Sequence, residues 1–450
     1  MPDKQRTDAP RLFRRRASFR LRPNYTRDQK LFIWEAMFMY SANVITTGMF
    51  LTGLLLMMGA DNMTVGLVIS SGSWSMLLSL VASVVMERVR DRKRLLTWVI
   101  VIFRLLTTLP AFLPAVMGTG GVTVAVTFVM VVLGNAVFSL YNTGFTVFFM
   151  DSIPAEGRTN YIYNRLLLIR IAYTVLLVAM GFVLDLFTKV LGQGYLGLVL
   201  VFGIALAVGV ADVIAMSRIK GVCPPPDGPR AKIGDLLKGL LKPLGDRRYL
   251  RYLAFSFAFF FFLSISTAFT SLYQIKYLQL SYGFISIYNM AIYITMIAMT
   301  RTWGKIEQRI GRPNLIITGM VLIAAELLFY GFLTKNTLWL LSLTLLCNSL
   351  GNSSYWACNL PYRYDLMPEE GKMAYEGWFW FVYGSAGLLG ALLGGSLQYV
   401  IPEAHTPVMT FSVFQLLYLL SGVTAVGTAL AYRSGLRRDG AVGQGRGVAA

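Results

Sequence analysis

The stretch Asp151-Ser-Ile-Pro-Ala-Glu-Gly-Arg-Thr-Asn-Tyr161 lies between two long apolar runs and returns 214 residues later as Asp365-Leu-Met-Pro-Glu-Glu-Gly-Lys-Met-Ala-Tyr375. Both copies obey D-x-x-P-x-E-G-[R/K]-x-x-Y without a gap. Met once, a charged, turn-forming loop reads as an active-site candidate; met twice at a fixed separation, it reads as a duplication. The match extends outward, because Ser139-Leu-Tyr141 aligns with Ser353-Ser-Tyr355 at the same offset. A second loop type also recurs. Glu87-Arg-Val-Arg-Asp-Arg-Lys-Arg94 has its counterpart in Gly304-Lys-Ile-Glu-Gln-Arg-Ile-Gly-Arg-Pro313, at a separation near 217.

The solvent of this chain is lipid. Of its 450 residues 56% are hydrophobic and 14% charged, with a mean hydropathy of +0.59, against about 25% charged in an ordinary soluble domain. A membrane-crossing helix needs about 20 mostly apolar residues, and twelve such runs are readable. They lie near 31–57, 64–86, 95–117, 121–149, 162–186, 194–217, 250–275, 281–302, 314–334, 337–362, 375–400 and 408–432. Most are apolar all round, without the polar stripe of a soluble helix. The expected fold class is an all-α integral membrane protein with twelve spans in two pseudo-symmetric six-helix bundles. The expected divisions are a basic tail 1–30, a first bundle 31–217, a linker 218–249, a second bundle 250–432 and a tail 433–450.

Lys and Arg orient the chain. The tail 1–30 holds ten of them, Glu87–Arg94 holds five and segment 218–251 holds nine, whereas the opposite face shows only Lys189, Lys276 and Lys335. Both termini are therefore expected on the cytoplasmic side of a multi-pass protein, here of the bacterial plasma membrane. The net charge of +19 is assigned to this topology and to anionic lipid headgroups; no basic domain outside the bilayer suggests a nucleic-acid partner. The three cysteines, Cys223, Cys347 and Cys358, are too scattered for a disulfide or metal framework. No phosphate-binding glycine loop, no nucleophile elbow and no His/Cys cluster is present, so neither an enzyme nor a cofactor is expected.

The paired loops resemble the signature of the major facilitator superfamily, Gly-x-Leu-x-Asp-Arg-x-Gly-Arg-[Arg/Lys] between helices 2 and 3, with a weaker copy between helices 8 and 9. Here the second copy is the fuller one, matching at Gly304, Ile306, Arg309, Gly311 and Arg312, with Gln308 in place of Asp. The first keeps Asp91-Arg92 and Lys93-Arg94 but lacks both glycines. The resemblance covers about residues 30–433. It implies a substrate site between two six-helix halves, a cavity lined by helices 1, 4, 7 and 10, and alternating access by rocking of the halves.

Polarity selects the same four spans. Span 1 offers Asn43, Thr46 and Thr47; span 4 Asn135, Ser139 and Asn142; span 7 Ser266 and Thr270; span 10 Asn348, Asn352, Tyr355, Trp356 and Asn359. These are the candidate substrate-cavity residues, against a reading in which they only bond neighbouring helices. Ionisable residues inside spans cost about 2.5–3.5 kcal/mol unless paired or facing a cavity. Arg104 and Glu326 lie deepest but on spans the resemblance makes peripheral, whereas Glu35, Arg165, Arg170 and Asp212 invite structural ion pairs. Glu35, on span 1, is the candidate for coupling to H+. Gate loops are expected at Asp91, Arg92, Asp151, Arg158, Gly304, Arg309, Gly311, Arg312, Asp365 and Lys372, with Asp151 and Asp365 pairing across to Arg158 and Lys372. The functional expectation is a monomeric secondary transporter of a small polar solute, such as a sugar or sugar derivative. A drug or metabolite efflux antiporter and a non-transporting receptor are the alternatives.

Overall fold

The computed structural model describes residues 25–89, 91–153, 158–220, 233–368, 372–400, 404–405 and 410–438. Both termini, Cys223 and the turn residues of the two repeated loops lie outside this set, as do the side chains of Asn142, Asp151, Arg158 and Lys372.

Among the described residues, eleven helical segments are long and apolar enough to cross a bilayer. The twelfth, Leu340–Leu366, is 27 residues long but carries the Asn, Ser and Tyr content that marked span 10, which lowers its hydropathy. Several spans are built from more than one piece. Span 1 is Arg27–Ile45 followed by Gly48–Met57, and span 2 runs Asn62–Trp74, a 3-10 turn, then Ser79–Arg88. Span 3 begins at Arg92–Thr108 and ends at Met117; spans 4, 5 and 6 are Gly121–Ser152, Arg158–Asp185 with a terminal π turn, and Gly194–Arg218. Span 7 is Arg247–Thr267 continued by Thr270–Leu272 and a π turn to Tyr277. Spans 8 to 12 are Tyr282–Ile310, Arg312–Gly331, Leu340–Leu366, Lys372–Val400 and Val413–Arg438. Outside the spans lie a linker helix, Ile233–Gly245, and a two-residue strand pair, Ala404–His405 with Thr410–Phe411. Asp246 caps span 7 by accepting from the backbone N–H of Arg248 and Tyr249.

The apolar core divides in three. At the end away from the termini, one cluster draws Phe50, Leu54 and Leu184 from the first half and Phe269, Ile285 and Tyr330 from the second. At the terminal end each half keeps its own, around Phe32, Tyr141 and Phe149 in the first and around Tyr252, Tyr355 and Phe379 in the second. The halves are therefore joined at the far end. Asp185, closing span 5, accepts from the first two N–H groups of span 8, Tyr282 at 3.0 Å and Gly283 at 2.9 Å, where the helix dipole favours a carboxylate. Tyr282 also lies over Gly53, and Phe269 over Gly66, so closely that no Cβ fits. Lys276 donates to Asn62 at 3.0 Å and Tyr399 to Asp61 at 3.1 Å.

The glycines of span 11 serve two neighbours. Gly390 and Gly394 press on the backbone of span 7, where a Cβ at Gly394 would stand 2.0 Å from the Ile265 carbonyl oxygen. Gly384, Gly387 and Gly395 press instead on span 2 of the other half, which puts small residues at the contact between halves. Gly394→Ala should cost about 1–3 kcal/mol by overpacking, seen as a lower unfolding temperature in detergent. Gly203→Ala, where the added Cβ meets open space, should leave that temperature unchanged.

Candidate functional site

Spans 1 and 7 break at matching points. Thr46 ends the first helical piece with φ −106°, ψ 5°, and Phe269 has the same angles between the pieces of span 7. Gly48, with φ +53°, supplies the left-handed residue that restarts span 1. Threonine hydroxyls bond back to carbonyls one turn before each break: Thr46 donates to Ala42 O, Thr47 to Asn43 O and Thr267 to Leu263 O, at 3.0, 2.8 and 3.1 Å. Backbone is interrupted at membrane depth only where protein or a cavity receives it. A cavity of about 240 Å³ opens there, lined by Thr47 and Gly48 from the first break and by Thr270 and Ser271 from the second.

Further lining comes from Val44 and Met49 of span 1, Leu177 of span 5, Gln274 of span 7, Ile285, Tyr288, Asn289, Ile292 and Tyr293 of span 8, Glu326 and Tyr330 of span 9, and Asn348 of span 10. Among the described residues span 4 does not reach this cavity, whereas span 9 brings a carboxylate to it. Glu326 accepts from Asn348 Nδ2 at 2.8 Å.

Of the polar candidates, Thr47, Thr270 and Asn348 line the cavity, and Thr270 accepts from Tyr418 Oη at 3.0 Å. Other described candidates bond within or between helices away from it. Asn43 accepts from Arg104 at 2.6 Å, Asn135 donates to Ser71 of span 2 at 2.7 Å, and Ser139 donates to Ala136 O. Asn352 donates to the Asn348 carbonyl, and Asn359 accepts from Tyr252 at 2.5 Å. Ser266 and Tyr355 are buried, the latter among Phe259 and Phe260, while Trp356 is 38% exposed and stacks on Phe260 and Trp380.

Intramembrane charge in the first half falls into two groups. Arg104 gives two bonds to one oxygen of Asp212, at 2.8 and 3.2 Å, and one to Met39 O at 3.0 Å. Together with Asn43 this ties spans 1, 3 and 6, and Gly209 leaves room for the Arg104 stem. Glu35 is fully buried, accepting from Tyr141 at 2.5 Å and facing Arg165 at 3.5 Å; the guanidinium of Arg165 sits 4.5 Å above the Phe149 ring.

At the terminal-end loops, Asp91 caps span 3 by accepting from Arg94 N, and Arg92 follows it as the first helical residue. Gly304 and Arg309 are exposed within span 8, and Gly311, at φ +80°, turns the chain into span 9. Asp365 pairs with Arg312 at 2.6 Å, and Arg312 also with Glu307 at 2.7 Å. Arg312 thus joins the two recurring loop types, while the Lys372 side chain, expected to face Asp365, lies outside the described set. The pair of Arg312 with Asp365 brings the end of span 10 to the span 8–span 9 turn.

The sequence profile described as Major Facilitator Superfamily matches residues 36–391 and, again, 252–442. Among solved structures, the nucleoside transporter NupG aligns with a TM-score of 0.68 at 14% identity, over 91% of this chain and 99% of that one. An autoinhibited POT family peptide transporter aligns at 0.69 and 12%, over 92% and 97%. A D-xylose-proton symporter aligns at 0.65 and 11%, over 90% and 96%. No curated protein sequence matches. Asp212→Ala should strand Arg104 in the bilayer interior and cost about 3–5 kcal/mol. In detergent unfolding, the double variant with Arg104→Leu should recover part of that loss.

Proposed function

This chain belongs to the Major Facilitator Superfamily and is a multi-pass membrane transporter rather than an enzyme; on that premise we propose that it carries a small polar solute by alternating access through the cavity between its two helix breaks. The observation that carries this reading is the coincidence of the paired breaks in spans 1 and 7 with a cavity lined by both halves. Interrupted helices at corresponding points of two repeats are where transporters expose backbone groups to a solute. The moving bodies are residues 31–217 and 250–432, hinged through 218–249. Solutes named for proteins of the same fold, nucleosides, peptides and D-xylose, are all small and polar, and a sugar or sugar derivative remains within that class.

The distribution of Lys and Arg favours termini in the cytoplasm, in a bacterial plasma membrane. The joined far end is then the outer gate. Rocking to the outward-open state must break the Asp185 contact with span 8, part Phe269 from Gly66 and close the terminal end. The chain works as a monomer, since each element of this cycle lies within one copy.

Coupling to H+ is assigned to Glu35. Its carboxylate is held between a tyrosine hydroxyl and a guanidinium. A proton arriving there removes the charge facing Arg165 at the terminal end of spans 1 and 5, and so biases the gate. Glu35→Gln should abolish accumulation driven by a pH gradient in proteoliposomes while sparing solute exchange; unchanged accumulation would remove Glu35 from the coupling path.

The gating reading is tested by access. With Cys223, Cys347 and Cys358 replaced by Ser, Ser271→Cys should react with an impermeant maleimide from the terminal side only. Adding Asp185→Asn, which weakens the far-end contact, should open reaction from the opposite side. Labelling that ignores Asp185 would count against alternating access at this gate.

A further inference from the structure

The cavity lining holds one carboxylate among amides and hydroxyls, and includes no Lys or Arg. Asn348 Nδ2 gives one N–H to Glu326 at 2.8 Å, Asn289 Nδ2 to the Ile285 carbonyl at 2.9 Å, and Gln274 Nε2 to Tyr330 Oη at 3.0 Å. The Glu326 carboxylate thus has a neutral amide as its bonded partner, and no cation is paired with it among the described residues.

Tyr288 and Tyr330 stand near the carboxylate, and Tyr293 lines the same cavity. Arg170 of span 5 acts electrostatically on Tyr293, yet it neither lines the cavity nor pairs with Glu326. A carboxylate inside a span is stabilised by a cation, and aromatic faces attract one. Building on the transport reading above, we propose that the solute carries a protonated amine, paired with Glu326 and enclosed by these tyrosines. A volume of about 240 Å³, below the roughly 300–1,000 Å³ of pockets for drug-sized ligands, limits it to a small molecule.

Three probes of one shape and different charge test this on the purified full chain: phenethylamine, 2-phenylethanol and 3-phenylpropionate, titrated calorimetrically at neutral pH. Phenethylamine is expected to bind at least tenfold more tightly than the other two, and Glu326→Gln to erase that preference. Should that variant fail to fold, Glu326→Asp keeps the charge at shorter reach and should weaken amine binding while retaining the preference. Equal binding of amine and alcohol, preference for the carboxylate probe, or amine binding that survives Glu326→Gln overturns the charge assignment while leaving the cavity standing as a solute site. Absence of binding by all three, with Ser271→Cys still reactive, overturns the assignment too. Loss of gated labelling at Ser271→Cys would instead strike the transport reading beneath it.

Discussion

Hydrocarbon gives an unpaired backbone group no partner, and that constraint shapes every irregularity of this chain. A span stays helical unless something inside the protein accepts what an interruption releases. In spans 1 and 7 threonine hydroxyls beside the breaks turn back onto carbonyls four residues earlier, adding bonds in the last helical turn. What remains exposed faces a cavity. The break, the hydroxyls and the cavity are consequences of one requirement, and their recurrence in both halves follows from duplication.

Charge obeys the same requirement by a different route. Each half keeps one guanidinium on an aromatic ring near its terminal end: Arg165 over Phe149 in the first, Arg363 over Phe379 in the second. At the loop separation of 214, Arg165 corresponds to Phe379 and Phe149 to Arg363. The pair has been retained with its two members exchanged between helices. The carboxylate partners differ accordingly. Glu35 reaches Arg165 from span 1, whereas Glu376 reaches Arg363 from span 11 at 2.9 Å. Duplication thus preserved an interaction rather than residue identities, and the exchange left a carboxylate on span 1 in one half only.

The architecture was legible because its signals are long. Apolar runs of about 20 residues, a repeated loop and basic clusters survive divergence. The cavity was less so. Polarity identified spans 1, 7 and 10 but also span 4, because Asn135 bonding to Ser71 looks in sequence like Asn348 beside Glu326. Both are amides in apolar helices, and only the rotation of the helix separates them. Glu326 was visible as a deep acid yet discounted. Asp185, which joins the halves, gave a weaker signal: a carboxylate at the far end of span 5, next to Lys189, whose partner lies about 97 residues away. The pairing of Asp365 with Arg312 gave no signal for the same reason, because the two lie 53 residues apart in the chain.

The threefold division of the apolar core has a thermodynamic consequence. A carrier that moves to the opposite conformation parts the cluster shared by the two halves and covers other surface at the terminal end. Burial of apolar surface carries a heat-capacity change, so the two conformations differ in heat capacity whenever the areas lost and gained are unequal. The conformational equilibrium then curves with temperature, independently of any solute. How steeply the balance between the two faces shifts with temperature is set by how evenly the apolar core is divided between the ends.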